Sequence, residues 1–181
     1  MSKNILVISS SLRRGSNSDA LADEFVRGAQ DAGHTVEKIS LAGKTLGFCR
    51  GCLACQELGR CVIDDDANAI MQKILAADAV AFATPIYYYE MSGQLKTLLD
   101  RLNPMFPLDY KFREAYLLCS ATEDESSTPE RAISGFEGWV ECFEKCRLAG
   151  TVFAGGVTAP GEISGHPALK NAYSLGLSVG N

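Results

Sequence analysis

Cys49, Cys52, Cys55 and Cys61 stand close together, with two residues in each of the first two gaps and five in the third. Thiolates this near one another can wrap one tetrahedral ion or one cubane cluster, and compact spacing of this kind occurs in iron–sulfur ligation. Gly51 and Gly59 give the backbone room to fold around such a centre. Two other uses stay open: free thiols, or a four-cysteine zinc site, which the short spacing suits poorly.

A second group lies near the amino terminus, in Ser9-Ser10-Ser11-Leu12-Arg13-Arg14-Gly15-Ser16-Asn17-Ser18. The hydroxyls of Ser11, Ser16 and Ser18 and the amide of Asn17 can hydrogen-bond an anion. Arg13 adds charge and a two-pronged fork. The stretch lacks both the Gly-Lys-Ser/Thr of a nucleoside-triphosphate loop and the glycine fingerprint of dinucleotide sites, so a terminal monophosphate suits it better than a pyrophosphate. The alternative is that Ser and Asn only cap a helix while the arginine is solvated.

The third group is Thr84-Pro85-Ile86-Tyr87-Tyr88-Tyr89-Glu90-Met91-Ser92-Gly93. Consecutive tyrosines in a loop offer flat faces to a planar heterocycle, and Pro85 stiffens the turn. Packing on the surface or in an oligomer interface is the competing use of these rings.

These groups need a scaffold that brings them together. Short apolar runs at 5–9, 35–41, 79–83, 115–120 and 151–157 read as strands. Amphipathic windows at 17–32, 67–77, 91–102, around Ile133 to Phe143, and 167–179 read as helices. Strict β-α alternation predicts an α/β three-layer sandwich, a five-stranded parallel sheet of order 2-1-3-4-5 with helices on both faces. Ligands bind such sheets beyond the carboxyl ends of the strands, where the winding reverses beside strand 1. That edge carries the loops after strands 1, 3 and 4. No repeat, low-complexity segment or linker divides the chain, so residues 1–181 are expected to form one domain.

The motifs resemble the NAD(P)H-dependent FMN reductase family of the flavodoxin-like superfamily. That family's first loop reads Gly-Ser-Pro-Arg, a short gap, then Asn-Thr. Here Ser10-Ser11-Leu12-Arg13 and Asn17-Ser18 stand there, with Ser10 for Gly and Leu12 for Pro. The second signature appears as Pro85-Ile86-Tyr87, Ser92-Gly93, Lys96 and Asp100-Arg101. The resemblance extends to about strand 5. It implies that Ser11, Arg13, Ser16, Asn17 and Ser18 hold the FMN phosphate, and that Pro85, Ile86, Tyr87 and Tyr88 line the isoalloxazine ring. Ser120, Ala121 and Thr122, at the end of strand 4, form the third contact by topology. Lys96 and the Asp100-Arg101 pair are expected to serve helix packing and surface pairing.

The cysteine run, followed by Val62-Ile63-Asp64-Asp65-Asp66, is similar to the iron–sulfur flavoprotein branch of that family. The branch implies a [4Fe–4S] cluster on Cys49, Cys52, Cys55 and Cys61, together with FMN. It also implies a homo-oligomer, a dimer or tetramer, in which one subunit's cluster faces another's flavin. The three acids need no further role, because acids belong at a helix start. Cys119 is expected to be a small buried residue, and Cys142 and Cys146 to pack one helical turn apart.

Net charge is −5 with no basic stripe, which argues against nucleic acid. No run is long enough for a bilayer span, and the first apolar stretch is too short for a signal-peptide core; the expected location is the cytoplasm. Seven cysteines in a reduced compartment point to metal or redox chemistry. The expected activity is oxidoreduction: electrons from NAD(P)H or a protein donor to a small-molecule acceptor. The alternative is an electron carrier between ferredoxin-like partners.

Overall fold

The computed structural model describes residues 1–180. Its strands are β1 (Asn4–Ser9), β2 (Thr35–Ser40), β3 (Ala79–Tyr87), β4 (Glu90–Met91), β5 (Glu114–Ser120) and β6 (Arg147–Ala154). Its helices are α1 (Asn17–Asp31), α2 (Cys55–Leu58), α3 (Asp66–Ala76), α4 (Gly93–Arg101), α5 (Glu130–Glu141) and α6 (Pro167–Leu177). Five strands run parallel in the order β2-β1-β3-β5-β6, and β4 folds back antiparallel on the end of β3. This is the expected flavodoxin-like winding, with a sixth short strand added.

Alternation along the strands sorts the core into two layers. Ile5 and Val7 pack with Leu21, Phe25 and Ala172, on the side of α1 and α6. Leu6 and Ile8 face the other way, in a layer with Ile74, Leu98 and Phe136 from α3, α4 and α5. β5 is buried at every residue, as a central strand covered on both faces must be.

The largest differences from the sequence-based expectation fall on β3, α4 and β6. β3 does not stop at Ala83 but continues to Tyr87, with Pro85 opposite Ser120 of β5. Met91 is not the first residue of the next helix. It pairs with Ile86 in the hairpin, and α4 starts after Ser92, whose Oγ accepts the Leu95 N–H at 3.3 Å. The last strand lies four residues earlier at its start than the 151–157 run, because its opening residues, Arg147 to Gly150, carry little apolar signal. Within it the register shifts by one residue, from Ala115 opposite Leu148 to Tyr116 opposite Gly150.

At the amino edge of the sheet Glu114 accepts from Lys3 Nζ (3.3 Å), Arg147 Nη2 (2.6 Å) and Tyr116 Oη (3.2 Å). Burial pushes its carboxyl up, but Lys3 and the hydrogen bonds outweigh that and hold it below the ordinary value of 4.5. A depressed carboxylate contributes stability that is present above its unfolded value and lost as pH falls through the folded one. The E114Q variant should therefore be less stable than wild type at neutral pH, and the gap should narrow as pH falls below 4.5. Urea midpoints across that range check this; a gap independent of pH would contradict it.

Candidate functional site

Beyond Ser9 the chain leaves the sheet, whereas β3 continues beside β5. This opens one flank of β3 at the carboxyl edge. The two turns meet there through Ser10, whose N–H and Oγ both reach the Ala83 carbonyl, at 2.9 and 3.0 Å. Ser10 Oγ also lies 2.9 Å from Ser92 Oγ, and the Ser92 N–H donates to Thr84 Oγ1 at 2.9 Å. Ser10 and Ser92 thus fasten the first loop to the β3–α4 connection.

The recess so formed has a volume of about 260 Å³. Ser11, Arg13, Ser16, Asn17 and Ser18 line one end; Pro85, Ile86 and Tyr87 line a second side; Ser120, Ala121 and Thr122 line a third. Val157 and Thr158, which sequence reasoning did not single out, complete it. The Gly155-Gly156 pair just past β6 is the signal that could have located them. Gly155 has no room for a side chain: a Cβ there would lie 2.5 Å from Asp124 Cα. The turn after β6 consequently presses against the turn after β5, and Val157 N–H reaches the Ala121 carbonyl at 2.9 Å.

Within this recess the polar groups divide by task. Ser16 caps α1, its Oγ accepting the Asp19 N–H at 3.2 Å. The Asn17 side chain pins the turn after β6, donating to the Ala159 carbonyl at 3.0 Å and accepting from Ile163 N–H at 3.2 Å. Ser11 Oγ accepts the Arg13 N–H at 3.3 Å, and Arg13 Nη1 reaches the Thr158 carbonyl at 2.9 Å. Ser18 Oγ is fully buried without a partner among the described residues. The amides of Asn17 and Ser18 precede the first intrahelical bond, from Ala20 N–H to the Ser16 carbonyl. A buried orphan hydroxyl, helix-start amides and a guanidinium around one hollow suit an anion.

Tyr88 is not among the residues of that recess. It is 98% exposed and borders an adjoining hollow with Tyr89, Glu123 and Thr128. The two hollows share Ile86, Ala121 and Thr122. Tyr88 and Tyr89 form the two-residue connection between β3 and β4 at φ 51° and 66°. Both central residues of such a hairpin turn need positive φ, which costs a residue with a Cβ on the order of 1–2 kcal/mol. Arg131 lies over the Tyr89 ring, 5.7 Å from its centroid.

The four-cysteine loop lies outside the recess. Cys49 and Cys52 are exposed, Cys61 is half-buried and Cys55 is buried in the single turn of α2; all are free thiols. Among the described residues, no three Cys, His, Asp or Glu side chains are gathered around one point as a metal ion would require. Arg101 anchors the far end of this loop. Sequence reading placed the Asp100-Arg101 pair in packing and surface pairing, which holds for Asp100, bound to Lys96 at 2.6 Å. Arg101 is completely buried. It follows Leu95 and Leu98 along one helix face, and this three-residue spacing was the signal.

All five guanidinium N–H groups are used. Nη1 donates to Asp65 Oδ2 and the Gly47 carbonyl, both at 2.7 Å. Nη2 donates to Asp65 Oδ1 (2.9 Å) and the Ile63 carbonyl (3.1 Å), and Nε to Cys61 Sγ at 3.2 Å. Asp65 caps α3 as its place at a helix start requires, accepting the Ala67 N–H at 3.1 Å. It has a second role as the partner of Arg101. Burial raises its carboxyl, but the Arg101 guanidinium and two backbone N–H groups outweigh that and hold it below the ordinary range. Cys119 is buried as expected, and burial pushes its thiol up to about 12.

A parallel sheet with this strand order, carrying an anion-suited turn at its reversal point, defines a protein of the flavodoxin-like class. The chain belongs to the NADPH-dependent FMN reductase family, whose model matches residues 3–124. A Bacillus subtilis protein named as an NAD(P)H-dependent FMN-containing oxidoreductase is 32% identical over 94% of this chain and 95% of its own. An iron–sulfur flavoprotein of Methanocaldococcus jannaschii is 39% identical over 56% of this chain; the match spans about half, 52%, of that relative. In fold the chain is similar to the NAD(P)H:quinone oxidoreductase of Methanothermobacter marburgensis. The TM-score is 0.78 at 21% identity, covering 100% of this chain and 98% of that one. Among the described residues no helix is long and apolar enough to cross a membrane.

Proposed function

We propose that the chain binds FMN in the recess between the turns after β1, β3, β5 and β6. On this reading it is an oxidoreductase that takes electrons from NAD(P)H or a protein donor. It passes them to a small acceptor such as a quinone, a flavin, or a nitro or azo compound. One observation carries the reading: the hollow at the reversal point places the unpartnered Ser18 hydroxyl, the first amides of α1 and Arg13 at one end. Pro85 to Tyr87, Ser120 to Thr122, Val157 and Thr158 form its other sides. FMN, when bound, supplies the hydride and single-electron chemistry.

The chain's own residues bind, orient and shield. Ser11, Arg13 and Ser18 take the phosphate. Ser16 and Asn17 act one step back, holding the helix start and the turn after β6 in place. Pro85 and Ile86 give a stiff, weakly polar wall, and Tyr87 stands at the rim. The adjoining hollow beside Tyr88, Tyr89 and Glu123 is where the second substrate meets the ring. No side-chain acid or base is required, and none is assigned. Purified protein should be yellow and should oxidise NADH or NADPH when a quinone or nitro acceptor is supplied. Protein that neither carries nor takes up FMN would overturn the proposal.

A second reading is an iron–sulfur flavoprotein that relays electrons between ferredoxin-like partners, as a homodimer or homotetramer. Its support is the relative's name and a donor set of the right chemistry: four thiols, two of which already accept N–H donors from buried or half-buried side chains. Cys49, Cys52, Cys55 and Cys61 would hold the [4Fe–4S] cluster, which would supply one-electron transfer. Reduction by ferredoxin without turnover of NAD(P)H would favour this carrier over the enzyme.

A further inference from the structure

Three fully buried hydroxyls, those of Ser10, Thr84 and Ser92, lie behind the recess and outside its lining. Ser10 immediately precedes Ser11 at the anion-suited end, and Thr84 immediately precedes Pro85 on the second side. Ser92 bridges the two. Ser10 Oγ donates to the Ala83 carbonyl at 3.0 Å, so in the 2.9 Å contact between the serines Ser92 is the donor. Ser92 Oγ in turn accepts the Leu95 N–H at 3.3 Å. On the other side the Ser92 N–H donates to Thr84 Oγ1 at 2.9 Å, and Thr84 Oγ1 donates to the Pro85 carbonyl at 3.0 Å. Each hydroxyl therefore both donates and accepts. The Ser18 hydroxyl, which does line the recess, has no partner among the described residues.

A fully satisfied hydroxyl chain shut off from water is rigid, and it fixes the backbone at both of its ends. Those ends are the residues before Ser11 and before Pro85, so the chain sets the span between two sides of the recess. We propose that Ser10 and Thr84 are positioning residues that hold the two sides at the separation one ligand needs to reach both, and so favour FMN over either of its parts. The inference rests on the flavin reading above and deepens it. FMN carries its phosphate and its ring in one molecule. When the two sides already stand at the right distance, the second contact forms with little further loss of freedom. With the span loosened, binding must also order the two turns. A ligand that fills one side alone, riboflavin at the ring side or inorganic phosphate at the other, does not draw on the span.

The test uses the full chain as wild type, S10A, T84V and T84S. FMN and riboflavin affinities are read from flavin fluorescence, inorganic phosphate is measured as a competitor of FMN, and a urea midpoint is taken without ligand. S10A should bind FMN about tenfold more weakly, while its constants for riboflavin and inorganic phosphate stay within about twofold of wild type. T84V, which keeps the bulk and the β-branch but not the hydroxyl, should show the same pattern. T84S, which keeps the hydroxyl, should bind FMN as wild type does. Should S10A fail to fold, the contrast between T84V and T84S decides. Equal weakening for all three ligands would overturn this proposal alone, as would unchanged FMN affinity beside a lower urea midpoint. Wild type that takes up no FMN would overturn the flavin reading and the proposal with it.

Discussion

Replacing Arg101 by Met should cost the metal-free, reduced protein about 3 kcal/mol of stability, because it leaves the Asp65 carboxylate buried without its cation. The Asp65 side chain is 5% exposed and Arg101 is 0% exposed, so water cannot take over the lost contacts. Three further acceptors, the Gly47 and Ile63 carbonyls and Cys61 Sγ, also lose their donor. The loss should be read as a lower urea midpoint with an unchanged slope. In the double variant D65L/R101M much of it should return, since removing both charges is far less costly than stranding one. A single variant as stable as wild type would show that the buried pair does not hold the cysteine loop to α4.

Removing Ser11 and Arg13 contacts together, as S11A/R13A, should weaken FMN binding about a hundredfold, from one charge-assisted and one neutral hydrogen bond to a phosphate. Riboflavin, which has the same ring and no phosphate, should bind wild type and variant alike. This contrast separates a phosphate site from general damage to the fold. Arg13 is exposed, the hydrogen bond of its guanidinium among the described residues goes to the Thr158 carbonyl, and the buried Ser11 hydroxyl accepts only the Arg13 N–H at 3.3 Å, so the double substitution should lower the urea midpoint only slightly. Equal weakening for FMN and riboflavin would place the phosphate elsewhere. Tight FMN binding by the variant would remove the main support for the recess as the flavin site.

The winding of the sheet was legible because each strand is a short apolar run and each helix an apolar stripe, and right-handed crossovers leave few ways to connect them. The gathering of Ser11, Arg13, Pro85, Ile86 and Ser120 to Thr122 followed from that winding alone. The lost detail lies where local pattern and tertiary pairing disagree. Thr84 to Tyr87 read as loop because Pro85 cannot donate to a ladder and tyrosines follow. β5 nevertheless pairs with this segment, and β4 folds back upon it. Tyr88 read as part of the ring pocket by its place in the triplet; the strained turn points that position outward instead.

By itself, the order of residues determined the fold class, the edge that carries the candidate recess and the closely spaced thiols of the loop before α3. Periodicity and spacing are local properties, and each of those conclusions needs nothing more. Only the tertiary structure decided that Arg101 turns inward onto Asp65 and Cys61, that Asn103 meets Cys55, and that Val157 and Thr158 close the recess. These contacts join residues 36 or more positions apart, and no local pattern encodes which distant polar groups will satisfy one another once water is excluded.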